Sequence, residues 1–260
     1  MSDVSLRPIF WMGWLFAVGS ACFAVGVPIS QLSGAAPAVS ALVFFVGSIF
    51  FTSAASIQMK LAWVGVPARV RRSRRMTILA RVTNVRDVAW SSALVQWAGT
   101  LFFNATTLFA LVSAVGRSAV PNQVIWRPDA IGSILFLVSS AIACLPEVRA
   151  HRHGHVRDRS WSIASLNLLG SIFFGISAVG AYVVTATNEL VNARWSNGGT
   201  LLGALCFLVG ALLSFRGEPP GCRWQPIDAD VVVEVGHTRR GNGSRPSFRR
   251  FEDLCEDTPR

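Results

Sequence analysis

Among the amides inside the long apolar stretches of this chain, Gln96, Asn104 and Asn167 stand out, with Thr106 and Thr107 close behind Asn104. An amide that leaves water must find hydrogen-bond partners inside the protein. Two chemistries suit that inventory. The preferred one is interhelical hydrogen bonding, worth about 1 kcal/mol per contact. The other is a polar lining for the path of a small solute, formed by Gln96, Asn104, Thr106 and Asn167. Phe16 occupies the matching place in the first apolar stretch, so such a lining would be asymmetric.

Other chemistry-bearing residues carry milder expectations. His151, His153 and His155 alternate with Arg152 and Gly154. Three imidazoles can hold zinc, but neighbouring arginines repel a cation, so these read as surface histidines at an anionic membrane face. Arg86-Asp87 and Arg157-Asp158 each precede an apolar stretch, where the carboxylate suits the positive end of a helix dipole. Asp129 follows Pro128 and is read as a similar N-terminal residue, a proton or cation site there being the weaker alternative; on the preferred reading no intramembrane carboxylate is left to relay protons. The densest basic run is Arg69, Arg71, Arg72, Arg74 and Arg75. It reads as a topology determinant and as a contact for anionic lipid, each arginine contributing about 1 kcal/mol near such a surface.

The chain contains no phosphate-binding loop, dinucleotide fingerprint, zinc-protease helix motif or nucleophile elbow. No catalytic residue, metal site or cofactor is expected, and the enzyme reading is the weakest of those considered. Cys22, Cys144 and Cys206 lie in apolar stretches and read as small packing residues, while Cys222 and Cys255 fall in the tail; an odd count argues against a disulfide framework.

The elements that would hold these residues follow from composition. Of 260 residues, 52% are hydrophobic and 15% charged, against roughly 25% charged in a typical soluble domain. Six stretches, about 9–27, 38–59, 91–115, 128–146, 161–187 and 199–215, approach the roughly 20 apolar residues that a helix needs to cross a bilayer. The expected fold is therefore an all-α integral membrane protein of six transmembrane helices spanning 1–216. Residues 217–260 form a polar cytoplasmic tail, too short for a core of its own and expected to be mostly disordered. With the N-terminus inside, 21 of the 24 basic residues fall on inner segments and three (Arg117, Arg127 and Arg194) outside. That bias predicts cytoplasmic N- and C-termini in a multi-pass protein of the cell membrane. It also accounts for the net charge of +10 without nucleic acid as a partner. Trp11, Trp90, Trp126, Trp161 and Trp195 fall near segment ends, as an aromatic belt would place them. The first stretch could be read as a signal peptide, but its 19-residue apolar run and its share in the repeat below place it in the fold.

The third and fifth stretches match without gaps at an offset of 71 residues. Arg86-Asp87-x-x-Trp90-Ser91 aligns with Arg157-Asp158-x-x-Trp161-Ser162, Gln96 with Asn167, and Gly99-Thr100-Leu101-Phe102-Phe103 with Gly170-Ser171-Ile172-Phe173-Phe174. A shorter pattern recurs in all six: a glycine (Gly19, Gly47, Gly99, Gly132, Gly170, Gly203), a small residue after it, a phenylalanine four later (Phe23, Phe51, Phe103, Phe136, Phe174, Phe207), and a small residue seven later. These positions share one helical face. Small residues there let a neighbouring backbone approach, with the phenylalanine filling the space beside it. Three parallel helical-hairpin repeats are predicted, about 6–60, 85–147 and 156–216, with pseudo-threefold symmetry about the membrane normal if they pack equivalently.

The hairpin pattern Trp126-x-x-Asp129-x-x-Gly132-Ser133-Ile134-Leu135-Phe136 resembles the YrhK-like domain of bacterial membrane proteins. That resemblance covers the second and third hairpins best. It implies a two-helix unit and supplies no catalytic residues. The combined expectation is a non-enzymatic helical scaffold that contacts membrane lipids, anionic ones at the arginine run, or partner proteins, a homo-oligomer among the arrangements open to it. The alternative is a channel or facilitator for a small solute.

Overall fold

The computed structural model describes residues 7–32, 37–65, 88–116, 120–152, 158–184, 187 and 189–215. The arginine run 69–75, His153, His155 and the tail 217–260 lie outside them. Six long helices form: α1 (Arg7–Gln31), α2 (Pro37–Gly65), α3 (Val88–Val115), α4 (Asn122–Arg152), α5 (Asp158–Gly180) and α6 (Ala193–Phe215). Each is long and apolar enough to cross a membrane. Each packs against its neighbours in the chain, and α6 closes on α1, so the helices form a ring.

The distribution of side chains identifies the surrounding medium. Two positions after the recurring glycine, Ile49, Leu101, Ile134, Ile172 and Leu205 all point outward, Ile134 being 61% exposed. The interior takes Gly, Ser, Thr, Ala and Phe instead. Aliphatic rows on the outside of every helix would drive a protein to aggregate in water; in lipid they are the solvated face. The chain is a polytopic membrane protein.

Several boundaries differ from the sequence expectation. Helix α4 begins at Asn122 rather than 128 and runs through both Pro128 and Pro146. Proline inside a helix forfeits one backbone hydrogen bond, a loss that neighbouring helices in a membrane bundle can offset. Asp129 therefore lies two turns into the helix, beyond the first turn where a dipole acts. It does not cap α4, and the apolar spans do contain a carboxyl group. Helix α5 stops at Gly180, where an added Cβ would meet Ser196 N at 2.5 Å and Asn192 O at 2.7 Å. A short antiparallel pair follows, β1 (Val183–Val184) with β2 (Glu189–Leu190). Helix α6 then begins six residues earlier than expected. Asn192 caps it: its Oδ1 accepts the N–H groups of Arg194 (2.9 Å) and Trp195 (3.1 Å).

Candidate functional site

The six recurring phenylalanines, one per helix, meet in a single cluster with Ala204 at the centre of the ring. Phe136 lies 5.1 Å from Phe103, 5.8 Å from Phe207, 6.4 Å from Phe51 and 6.5 Å from Phe174, mostly edge to face. Such offsets suit the ring quadrupoles. The cavity left among Phe23, Ser48, Phe51, Phe103, Phe136 and Phe174 is about 10 Å³. That is at the threshold for one water molecule and far below the size of a solute.

The glycines make this convergence sterically feasible. An added Cβ on Gly19 would meet Phe51 at 2.9 Å and Gly47 O at 3.0 Å; on Gly47 it would meet Phe23 at 3.0 Å and Gly19 O at 3.1 Å. The same exchange joins Gly170 with Phe207 and Gly203 O, and Gly203 with Phe174 and Gly170 O. Gly99 faces Phe136, and Gly132 faces Gly99 O and Phe103. Each glycine of a helix pair thus receives the phenylalanine of its partner.

Hydroxyls repeat as well. Thr106 donates to Ile125 O in the α3–α4 pair, and Ser177 donates to Ser196 O (2.7 Å) in α5–α6. Both residues of the second bond lie 71 positions after those of the first. Between pairs, the residue after the glycine faces a residue eight after the neighbouring helix's glycine. Ser48 meets Thr107 at 2.9 Å and Ser140 meets Ser171 at 2.8 Å. The sequence reading missed that eighth position because its occupants vary: Val27, Ala55, Thr107, Ser140, Ala178 and Ala211. All six are buried; smallness and burial are what they share.

The predicted amides do not gather around one space. Asn104 lies on the α2–α3 interface, where its Nδ2 donates to Thr52 Oγ1 at 2.9 Å. Among the described residues its buried Oδ1 has no hydrogen-bond partner, and Gln58 Oε1 on α2 is in the same situation. Trp97 Nε1 donates to Ser56 Oγ at 3.1 Å one turn further along. Asn167 lies on α5 against α6, its Oδ1 3.2 Å from where a Cβ on Gly210 would stand. Thr106 serves α3–α4, and Gln96 is half-buried on α3. Asn104, Asn167 and Thr106 therefore belong to three different helix interfaces.

Two residues assigned to loops or belts have more specific placements. Arg159 Nε donates to Leu213 O at 2.9 Å and its Nη2 reaches the same oxygen, capping the last turn of α6. Trp126 Nε1 donates to Ala178 O at 2.8 Å, and its ring meets Tyr182 edge-on at 4.8 Å. It bridges α4 and α5 rather than only marking an interface. Among the described residues no three His, Cys, Asp or Glu side chains converge as metal ligands. Comparison of the chain with protein-family models, with curated proteins and with solved structures finds no match.

Proposed function

We propose that this chain is a non-enzymatic helical scaffold of the cell membrane, with three equivalent hairpins around an axis along the membrane normal and both termini cytoplasmic. The observation that carries the reading is the ring's centre, filled by six phenylalanines around a cavity of about 10 Å³. Such a centre holds helices together and passes nothing. The outward aliphatic rows meet lipid, and the basic run Arg69, Arg71, Arg72, Arg74 and Arg75 binds anionic headgroups. Native mass spectrometry of the detergent-extracted full chain should find anionic lipid retained, and lost when the five arginines become glutamine. In liposomes the chain should leave water and small-solute permeability at the background rate. Flux above that background would overturn the scaffold and favour a facilitator. One observation favours that second reading: polar residues occupy the position three before the glycine in four of the six helices, as Gln96, Asp129, Asn167 and Thr200.

A further inference from the structure

That same position, three residues before the recurring glycine, has a defined place in the structure. In the first helix pair it holds Phe16 and Phe44, and both pack against the central phenylalanine cluster. Phe44 also lies where a Cβ on Gly26 would stand, 2.7 Å away, and Gly26 is seven after its own glycine. In the third pair it holds Asn167, against Gly210, and Thr200, whose Oγ1 is 2.7 Å from Ser177 Oγ. Gly210 and Ser177 are again seven after their glycines. The position thus faces inward, beside the phenylalanine layer and opposite the seventh position of the paired helix.

In α4 this position is Asp129, and the register sets it opposite Thr106 on α3. A hydrogen bond ties the two turns together: Thr106 donates to Ile125 O. Ile125 is four residues before Asp129, on the turn over which a helical side chain at 129 leans. Depth follows from the span. Asn122–Val148 is the part of α4 long and apolar enough to cross the membrane, so Asp129 lies about 9 Å from its midpoint at 1.5 Å per residue. Half the hydrocarbon thickness is about 15 Å. The carboxyl group is half-buried and lies at hydrocarbon depth.

Among the described residues no cation offsets it. Helix α3 carries no ionisable residue among 88–116. Just beyond the end of α5 stands Tyr182, its ring on Trp126, while Asp158 and Arg159 are at the helix's other end. Arg127, Glu189 and Arg194 are exposed, and Asp129 forms no ion pair among the described residues. A bare carboxylate at that depth costs several kcal/mol, so the group is held neutral by an ion of its own.

We propose that Asp129 is the carboxyl of an intramembrane proton-binding site, with Thr106 as its hydroxyl neighbour on α3. The inference does not rest on the scaffold reading. A dead-end site against the phenylalanine layer and a step on a transport path would both hold the proton. The test is labelling of the full chain in liposomes by dicyclohexylcarbodiimide, which enters lipid and modifies protonated carboxyl groups there. Peptide mass spectrometry should place the label on Asp129, with at least a tenfold fall in yield as pH is raised through the titration. Thr106→Val should move the pH of half-labelling by about half a unit or more without changing thermal stability in proportion. Absence of label on Asp129 at every pH, or a yield that Na⁺ suppresses and pH does not alter, would overturn the assignment. Asp129→Asn supplies the unlabelled control, and the wild-type measurement stands alone if that variant fails to fold.

Discussion

Adjacent glycines at the start of α6 show how position, not residue type, decides what a side chain does. A Cβ on Gly199 would meet Phe173 O at 2.6 Å and Ser177 N at 2.7 Å, while a Cβ on Gly198 would meet nothing within 4 Å. The obstacles at Gly199 are backbone atoms of α5, which move only if the helices separate. Gly199→Ala should therefore lower stability by about 1–3 kcal/mol, the usual cost of overpacking. Gly198→Ala should be neutral or stabilise by up to about 1 kcal/mol, because alanine gives up less chain entropy in a helix. Thermal unfolding of the purified protein in one detergent measures both; equal effects would refute this account of the α5–α6 contact. The six recurring glycines were legible from sequence because a phenylalanine follows each at a fixed distance. Gly199 was not legible, since nothing in its local sequence separates it from Gly198. Asp129 was misread for a related reason: Pro128 looked like a helix start, and only the tertiary fold shows α4 running through it.

At the scale of elements, the α2–α3 interface carries the amide chemistry in its clearest form. Ser48 meets Thr107, Thr52 accepts from Asn104, and Ser56 accepts from Trp97. Thr52 and Asn104 bond each other while Asn104 Oδ1 stays unpaired. Removing one partner should therefore cost more than removing both. Thr52→Val leaves the whole buried amide without a side-chain partner and should cost about 1–3 kcal/mol. Adding Asn104→Leu removes the stranded group, so the double variant should recover to within about 1 kcal/mol of the parent. A double-mutant cycle by unfolding in detergent reads the difference; a double variant less stable than Thr52→Val would show that Asn104 has partners beyond Thr52. The helices themselves were legible, since an apolar run of bilayer length suits a membrane-crossing helix and little else. Their ends were less so: Asn192 as a cap and Gly180 as a stop act through contacts with a second helix. Which interface each amide would occupy was also hidden, because sequence spacing fixes a helical face but not the neighbour it meets.

The molecule as a whole is ordered from the centre outward, and α4 samples that order within two residues. Phe136 is 2% exposed and lies among four other rings of the cluster, while Ile134 is 61% exposed. If the outer rows are solvated by lipid, the two should respond in opposite ways. Phe136→Ala opens a cavity that no lipid tail can reach and should cost about 3–5 kcal/mol, whereas Phe136→Leu keeps most of the volume and should cost under about 1.5 kcal/mol. Ile134→Ala should change stability little, because acyl chains fill the space the side chain leaves. Ile134→Lys should instead impair insertion, by about 2.5–3.5 kcal/mol for a charge near the middle of a span. In a water-soluble bundle the last effect would reverse, with lysine at an exposed site tolerated and often helpful. Insertion and unfolding assays on these four variants thus test the medium and the centre together. A Phe136→Ala protein as stable as its parent would show that the phenylalanine layer does not hold the ring closed. Tolerance of Ile134→Lys would show that this outer row does not face hydrocarbon.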